Sequence, residues 1–174
     1  FLHDPRPEYA DYYERTLYNG ILASQDPDSG MATYFQGARP GYMKLYHTPE
    51  ESFWCCTGTG MENHVKYRDA IYFHDDDALY VNLFVPSSVR WKEKGALLSQ
   101  VTTFPEAPTT TLRWKLLRPT LLALKLRHPR WFPARTPVAT HRAGIVRDGK
   151  RPGWTPVRSD VRREIPDATK GVGR

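Results

Sequence analysis

Cysteine is nearly missing from this chain. Two of its 174 residues are cysteines, and they are adjacent, Cys55 and Cys56. That excludes a disulfide framework, because a bond between neighbours closes a strained ring far from ordinary disulfide geometry. Methionine is scarce too, at three residues. The chain opens on Phe1 and its first methionine is Met31, inside an organised segment, so we expect the natural start to lie upstream. Long apolar runs are lacking. None approaches the roughly 20 residues that a helix needs to span a bilayer, so no membrane partner is expected. No succession of charged, apolar and small residues marks a signal peptide.

A charge of one sign across the ordered part is also lacking. The net charge of +6 and the pI of 9.4 invite a nucleic-acid reading. Residues 1–131, however, hold 15 Lys+Arg and 15 Asp+Glu, whereas residues 132–174 hold 10 Lys+Arg and 4 Asp+Glu. Phosphate binding needs basic side chains arranged by a fold, and the excess here sits in a Pro/Arg-rich tail. Nucleic acid is therefore not an expected partner.

Aromatic residues are plentiful at 13%, and a hydrophobic fraction of 40% is enough for a core. Tyr9, Tyr12, Tyr13, Thr16, Leu17 and Ile21 recur at three- and four-residue spacing, which predicts a helix over 9–24. Asp26-Pro27-Asp28-Ser29-Gly30 is a turn. Residues 31–47 mix aromatics with Gly37, Pro40 and Gly41, and read as a structured loop or a short hairpin, of the kind that lines a site. Thr59 is the expected cap of a second helix from Gly60 or Met61 to about Ala70, with Met61, His64 and Val65 inward. That start places the two cysteines just before a positive helix end, which favours the thiolate.

Strands are expected from residue 70 onward. Residues 70–74 and 78–85 read as a hairpin around Asp75-Asp76-Asp77. The spacing and glycine of a calcium loop are missing there, so a solvated turn is the reading. Further strands are expected at 97–103, 109–114 and 121–127. The change from helix to strand near residue 70 points to two domains joined directly. Residues 132–174 show no lasting period, and their composition predicts disorder or a stretch read out of frame.

The cysteines sit in Phe53-Trp54-Cys55-Cys56-Thr57-Gly58-Thr59-Gly60-Met61-Glu62-Asn63-His64. Two thiols in one Gly/Thr-rich turn suit metal binding or thiolate chemistry. The plain alternative is a pair of small buried apolar residues.

The run FWCCTGTGMENHVKYRDAIYFHDDDALYVNLFVPSSVRWKEK resembles the core signature of the β-L-arabinofuranosidase-type glycoside hydrolases, family 127. Upstream YADYYERTLYNGILASQDPDSGMATYF, the Thr48-Pro49-Glu50 step and Leu124-Lys125-Leu126-Arg127-His128-Pro129-Arg130-Trp131 fit the same family. The resemblance covers about residues 8–131. It implies a mixed fold: the C-terminal fragment of an (α/α)6 barrel over residues 1–70, followed by the start of an all-β sandwich over 71–131. Residues 132–174 would be the tail.

The resemblance also implies chemistry. Cys55 corresponds to a cysteine nucleophile that forms a glycosyl-thioether and releases sugar with retention. Cys55 and Cys56 correspond to zinc ligands. The family's other two zinc ligands come from a Glu-x-Cys motif, which this chain lacks, and its acid/base glutamate is expected upstream. Those roles are not assigned to Glu50, Glu51 or Glu62. Glu62 reads instead as charge stabilisation of a helix start. His64 reads as a packed histidine, His47 as a possible sugar contact, and Trp54 and Tyr46 as core or sugar-stacking aromatics. The expected partner is an arabinofuranoside-type carbohydrate, and the chain alone is expected to be inactive. Two other readings are a non-catalytic truncated remnant and a small zinc- or thiol-binding module.

Overall fold

In the computed structural model, residues 1–107 and 109–131 are described with their side chains, and residues 153–159 as backbone. Helix α1 spans Pro7–Thr16. Pro7 stands at its start, where a missing N–H costs nothing, and Glu8 and Arg15 complement its two ends. The chain stays helical through a π turn, Leu17–Ile21, and a 3-10 turn, Leu22–Ser24, in agreement with the expected 9–24. Ala10, Glu14 and Leu17 are the buried side.

The Asp26 carboxylate then closes the expected turn by accepting from the Ser29 N–H and hydroxyl. The loop that follows is held by two isolated bridges, Gln25 with Ala32 and Thr33 with Tyr46.

Helix α2 spans Cys55–Lys66 and runs on as a 3-10 turn, Tyr67–Ala70. It begins several residues earlier than expected, so the cysteines form its first turn rather than precede it. Thr59 does not cap it. Trp54 occupies the cap position and makes no side-chain cap hydrogen bond. Gly58 and Gly60 are tolerated inside the helix, because glycine weakens a helix without forbidding it. The inward face also differs. Met61 and Val65 are 65% and 66% exposed, and among the described residues nothing covers them.

Seven strands follow among the described residues: β1 Tyr72–His74, β2 Ala78–Val81, β3 Ser87–Trp91, β4 Ala96–Thr102, β5 Thr110–Leu116, β6 Leu122–His128 and β7 Gly153–Ser159. They form a four-stranded sheet, β1-β2-β6-β7, and a three-stranded sheet, β3-β4-β5. Asp75 builds the acidic turn by accepting from the N–H groups of Asp77 and Ala78 and from the Tyr80 hydroxyl. Strand β2 pairs in parallel with β6, and the other pairings are antiparallel. Strand β3 was not expected, since Pro86-Ser87-Ser88 resembles a turn. It gains its structure by pairing with β4.

Leu79 and Val81 of β2, Trp91, Ala96, Leu98, and Leu122 and Leu124 of β6 form one core drawn from both sheets. The alternation of β4, with Ala96, Leu98, Gln100 and Thr102 buried, follows from the two-residue period of a strand. A second core joins Leu17 of the π turn to Ala70 and Leu83. The helical segment therefore packs on the strands, giving an α/β mix of two helices and two small sheets.

Strand β7 falls in the stretch expected to lack regular structure. Pro156 lowers the strand signal there, but β7 is an edge strand, where a missing N–H is tolerated. The rest of 132–174 lies outside the described residues.

Candidate active site

The loop 31–47 and the start of α2 meet around the cysteines. Cys55 and Cys56 are both exposed free thiols, and their sulfurs lie 3.7 Å apart. They occupy the first helical turn, where backbone N–H groups lack intrahelical acceptors and the helix end is positive. The Tyr34 hydroxyl lies 3.6 Å from Cys55 Sγ. That hydroxyl, together with the Cys56 thiol and the N–H groups of the turn, holds the Cys55 thiol below its ordinary range. The same contacts with Cys55 and Cys56 push the Tyr34 hydroxyl up to about 12. The electrostatics favour a Cys55 thiolate facing a protonated tyrosine.

Aromatic rings wall the turn. Trp54 stands edge-on to Tyr34, with centroids 5.7 Å apart, and to His47, at 5.5 Å. His47 is buried, and its Nε2 lies 3.4 Å from the Thr57 hydroxyl. Tyr46 is half-buried and holds the bridge to Thr33.

Two thiolates on a tetrahedral zinc, each about 2.3 Å from the metal, would stand about 3.8 Å apart. The observed 3.7 Å fits one edge of such a site. Among the described residues, no group of three or more His, Cys, Asp and Glu could hold a metal ion.

The other candidates lie apart from the thiols. His64 Nδ1 meets the Tyr67 hydroxyl at 2.7 Å, a packed histidine. Glu62 is exposed about two turns into α2, which removes its role at the helix start. Tyr34 was missed as an individual residue. The available signal was the aromatic content of its loop, which marks a site without choosing a member.

Residues 1–69 match the sequence model described as Beta-L-arabinofuranosidase, GH127 catalytic domain. Residues 78–159 match that of the GH127 middle domain. The chain belongs to glycoside hydrolase family 127. The family-127 match runs past Trp131, where the expected resemblance ended, and its last residues are those of β7. In fold, the chain is similar to the crystal structure of a GH127 β-L-arabinofuranosidase from Geobacillus stearothermophilus T6, with a TM-score of 0.62 and 22% identity. The alignment covers 89% of this chain and 26% of that one, so the chain spans about a quarter of that relative's length. No curated protein matches the chain. No helix among the described residues is long and apolar enough to cross a membrane.

Proposed function

We propose that this family-127 chain is part of a retaining glycoside hydrolase acting on β-L-arabinofuranosides, with Cys55 as nucleophile. Residues 1–70 would be the end of an (α/α)6 barrel. The observation that carries the reading is the Tyr34–Cys55–Cys56 cluster at the start of α2, inside the segment that matches the catalytic domain.

Cys55 and Cys56 would hold zinc, with two further ligands from outside the described residues. Bound zinc would keep the thiols deprotonated and directed at neutral pH. The Cys55 thiolate attacks the anomeric carbon, a C–S bond forms, and the glycosidic C–O bond breaks. The departing oxygen takes a proton from an acid/base carboxylate outside this chain. Water then gives a proton back to that carboxylate and attacks the same carbon from the side opposite the sulfur, the C–S bond breaks, and the thiolate returns. Two inversions give retention, as in carboxylate enzymes of this kind. Tyr34 stabilises the thiolate before attack and again as it departs. Trp54 offers an aromatic face beside the reacting sulfur. Without the acid/base group and two ligands, the 174-residue chain by itself would be inactive.

A chimera tests the reading, with this chain replacing the corresponding quarter of the Geobacillus relative. It should hydrolyse an aryl β-L-arabinofuranoside, lose that activity on Cys55→Ala, and lose bound zinc on Cys56→Ala. Undiminished hydrolysis by the Cys55→Ala chimera would sink the nucleophile assignment.

A further inference from the structure

The turn that carries the two thiols is weakly determined by its own sequence. Thr57-Gly58-Thr59-Gly60 follows the cysteines, and glycine is the poorest ordinary helix former after proline. The cap position gives no side-chain hydrogen bond. A nucleophile needs a fixed direction, so contacts from outside the helix must supply it.

His47 is placed to do so. It is a buried polar side chain, 6% exposed. Its backbone is anchored by donating its N–H to the Ala32 carbonyl at 2.9 Å, next to the Thr33–Tyr46 bridge. Its ring reaches two points of the turn: the Thr57 hydroxyl at 3.4 Å and the Trp54 ring at 5.5 Å. Trp54 in turn backs Tyr34, whose hydroxyl faces Cys55. We infer that His47 is a positioning residue: its ring fixes the first turn of α2 through Thr57, and fixes Tyr34 through Trp54, so that Cys55 Sγ and the Tyr34 hydroxyl stay aligned. This rests on the reading of Cys55 as nucleophile. It differs from the sugar contact considered for His47, because the side chain is turned into the protein.

The test uses the 174-residue chain with a chelator present and limiting iodoacetamide. Fragmentation mass spectrometry reads the labelling of Cys55 against Cys56. Cys55 should label faster in the unsubstituted chain. His47→Ala should bring the ratio roughly threefold closer to equality, the size of one lost hydrogen bond. His47→Gln, whose amide can still reach Thr57, should keep most of the preference. Thr57→Val removes the same hydrogen bond from the helix side, and should act like His47→Ala even if that variant fails to fold. An unchanged ratio in Thr57→Val overturns the inference, as does equal labelling in the unsubstituted chain. The labelling needs no hydrolysis, so the nucleophile reading would fail separately, by persistent hydrolysis in the Cys55→Ala chimera.

Discussion

Arg127 of β6 and Glu14 of α1 form an ion pair withdrawn from water, with side chains 0% and 5% exposed. The same guanidinium reaches the Asp11 carboxylate and donates its Nε–H to the Asn82 carbonyl at 2.6 Å. The second Glu14 oxygen accepts from Trp131 Nε1 at 2.8 Å. Each buried charge is thereby paired and hydrogen-bonded, the condition under which burial is tolerated. A helix of the catalytic segment is thus fastened to a strand of the middle-domain segment, beside the core that joins Leu17 to Leu83. The planar fork of arginine suits two carboxylates at once, and an ammonium group does not.

Arg127→Met should therefore cost about 3–5 kcal/mol of stability, because it leaves the buried Glu14 and the largely buried Asp11 without their counter-charge. Arg127→Lys should recover only part of that. Urea denaturation followed by circular dichroism gives the values. A loss under about 1 kcal/mol would mean that the site is wet in solution and the pair is of the weak surface kind.

Much of this architecture was legible in the sequence. The helix over 9–24 was visible because Tyr13, Leu17 and Ile21 keep helical spacing, and β4 because an apolar stretch lies between turn residues, with Ala96, Leu98 and Gln100 buried and Leu97 and Ser99 half-buried between them. The start of α2 was misplaced because Gly58 and Gly60 carry a local signal against helix, and contacts from the loop 31–47 override it. Strand β3 was hidden by Pro86 and two serines, and β7 by Pro156 and the Pro/Arg-rich stretch around it. The cysteine pair was evident at once. Its tyrosine partner was not, since a contact across 21 residues leaves no spacing to read.

The Tyr34 contact predicts a pH effect. The hydroxyl is the first cause that lowers the Cys55 pKa, followed by Cys56. Alkylation of Cys55 in chelated chain should therefore rise with a midpoint below the ordinary thiol value of about 8.5. Tyr34→Phe removes the donor that favours the thiolate, so the midpoint should move up and the rate at neutral pH should fall. Tyr34 itself, pushed up to about 12, stays protonated across that range and remains a donor throughout. Superimposable pH–rate profiles for the two chains would refute the assignment.

Gln100 should matter to the second sheet. Its buried side chain donates from Nε2 to the Leu83 carbonyl at 3.0 Å and the Val85 carbonyl at 2.7 Å. Those carbonyls lie on the connection from β2 to β3, so one amide ties that connection to β4. Gln100→Leu keeps the bulk and removes both bonds, leaving Val85 its second donor, the Ser87 hydroxyl at 2.7 Å, at a cost of about 1–3 kcal/mol. Gln100→Glu should be at least as damaging, since it sets a carboxylate against two carbonyl oxygens. Thermal melts of the two variants compare the effects directly, and a Gln100→Leu chain as stable as its parent would show that the carbonyls find water.

Gly58 separates stability from function. It lies inside α2 with helical neighbours on both sides, where glycine costs roughly 0.5–1 kcal/mol relative to alanine. A methyl group there would meet no atom within 4 Å among the described residues. Nothing described in this chain requires the glycine sterically, so Gly58→Ala should raise the stability of the 174-residue chain by about that 0.5–1 kcal/mol. The hydrolase reading gives the open space a use. Three residues beyond the nucleophile on the same helix, it would admit either the sugar or the remainder of the catalytic domain. The same substitution in the chimera should then lower hydrolysis while the melting temperature holds or rises. A Gly58→Ala chimera with full activity would place the substrate on another side of the thiols, and a destabilised Gly58→Ala chain would mean that the helix needs the glycine for its own packing.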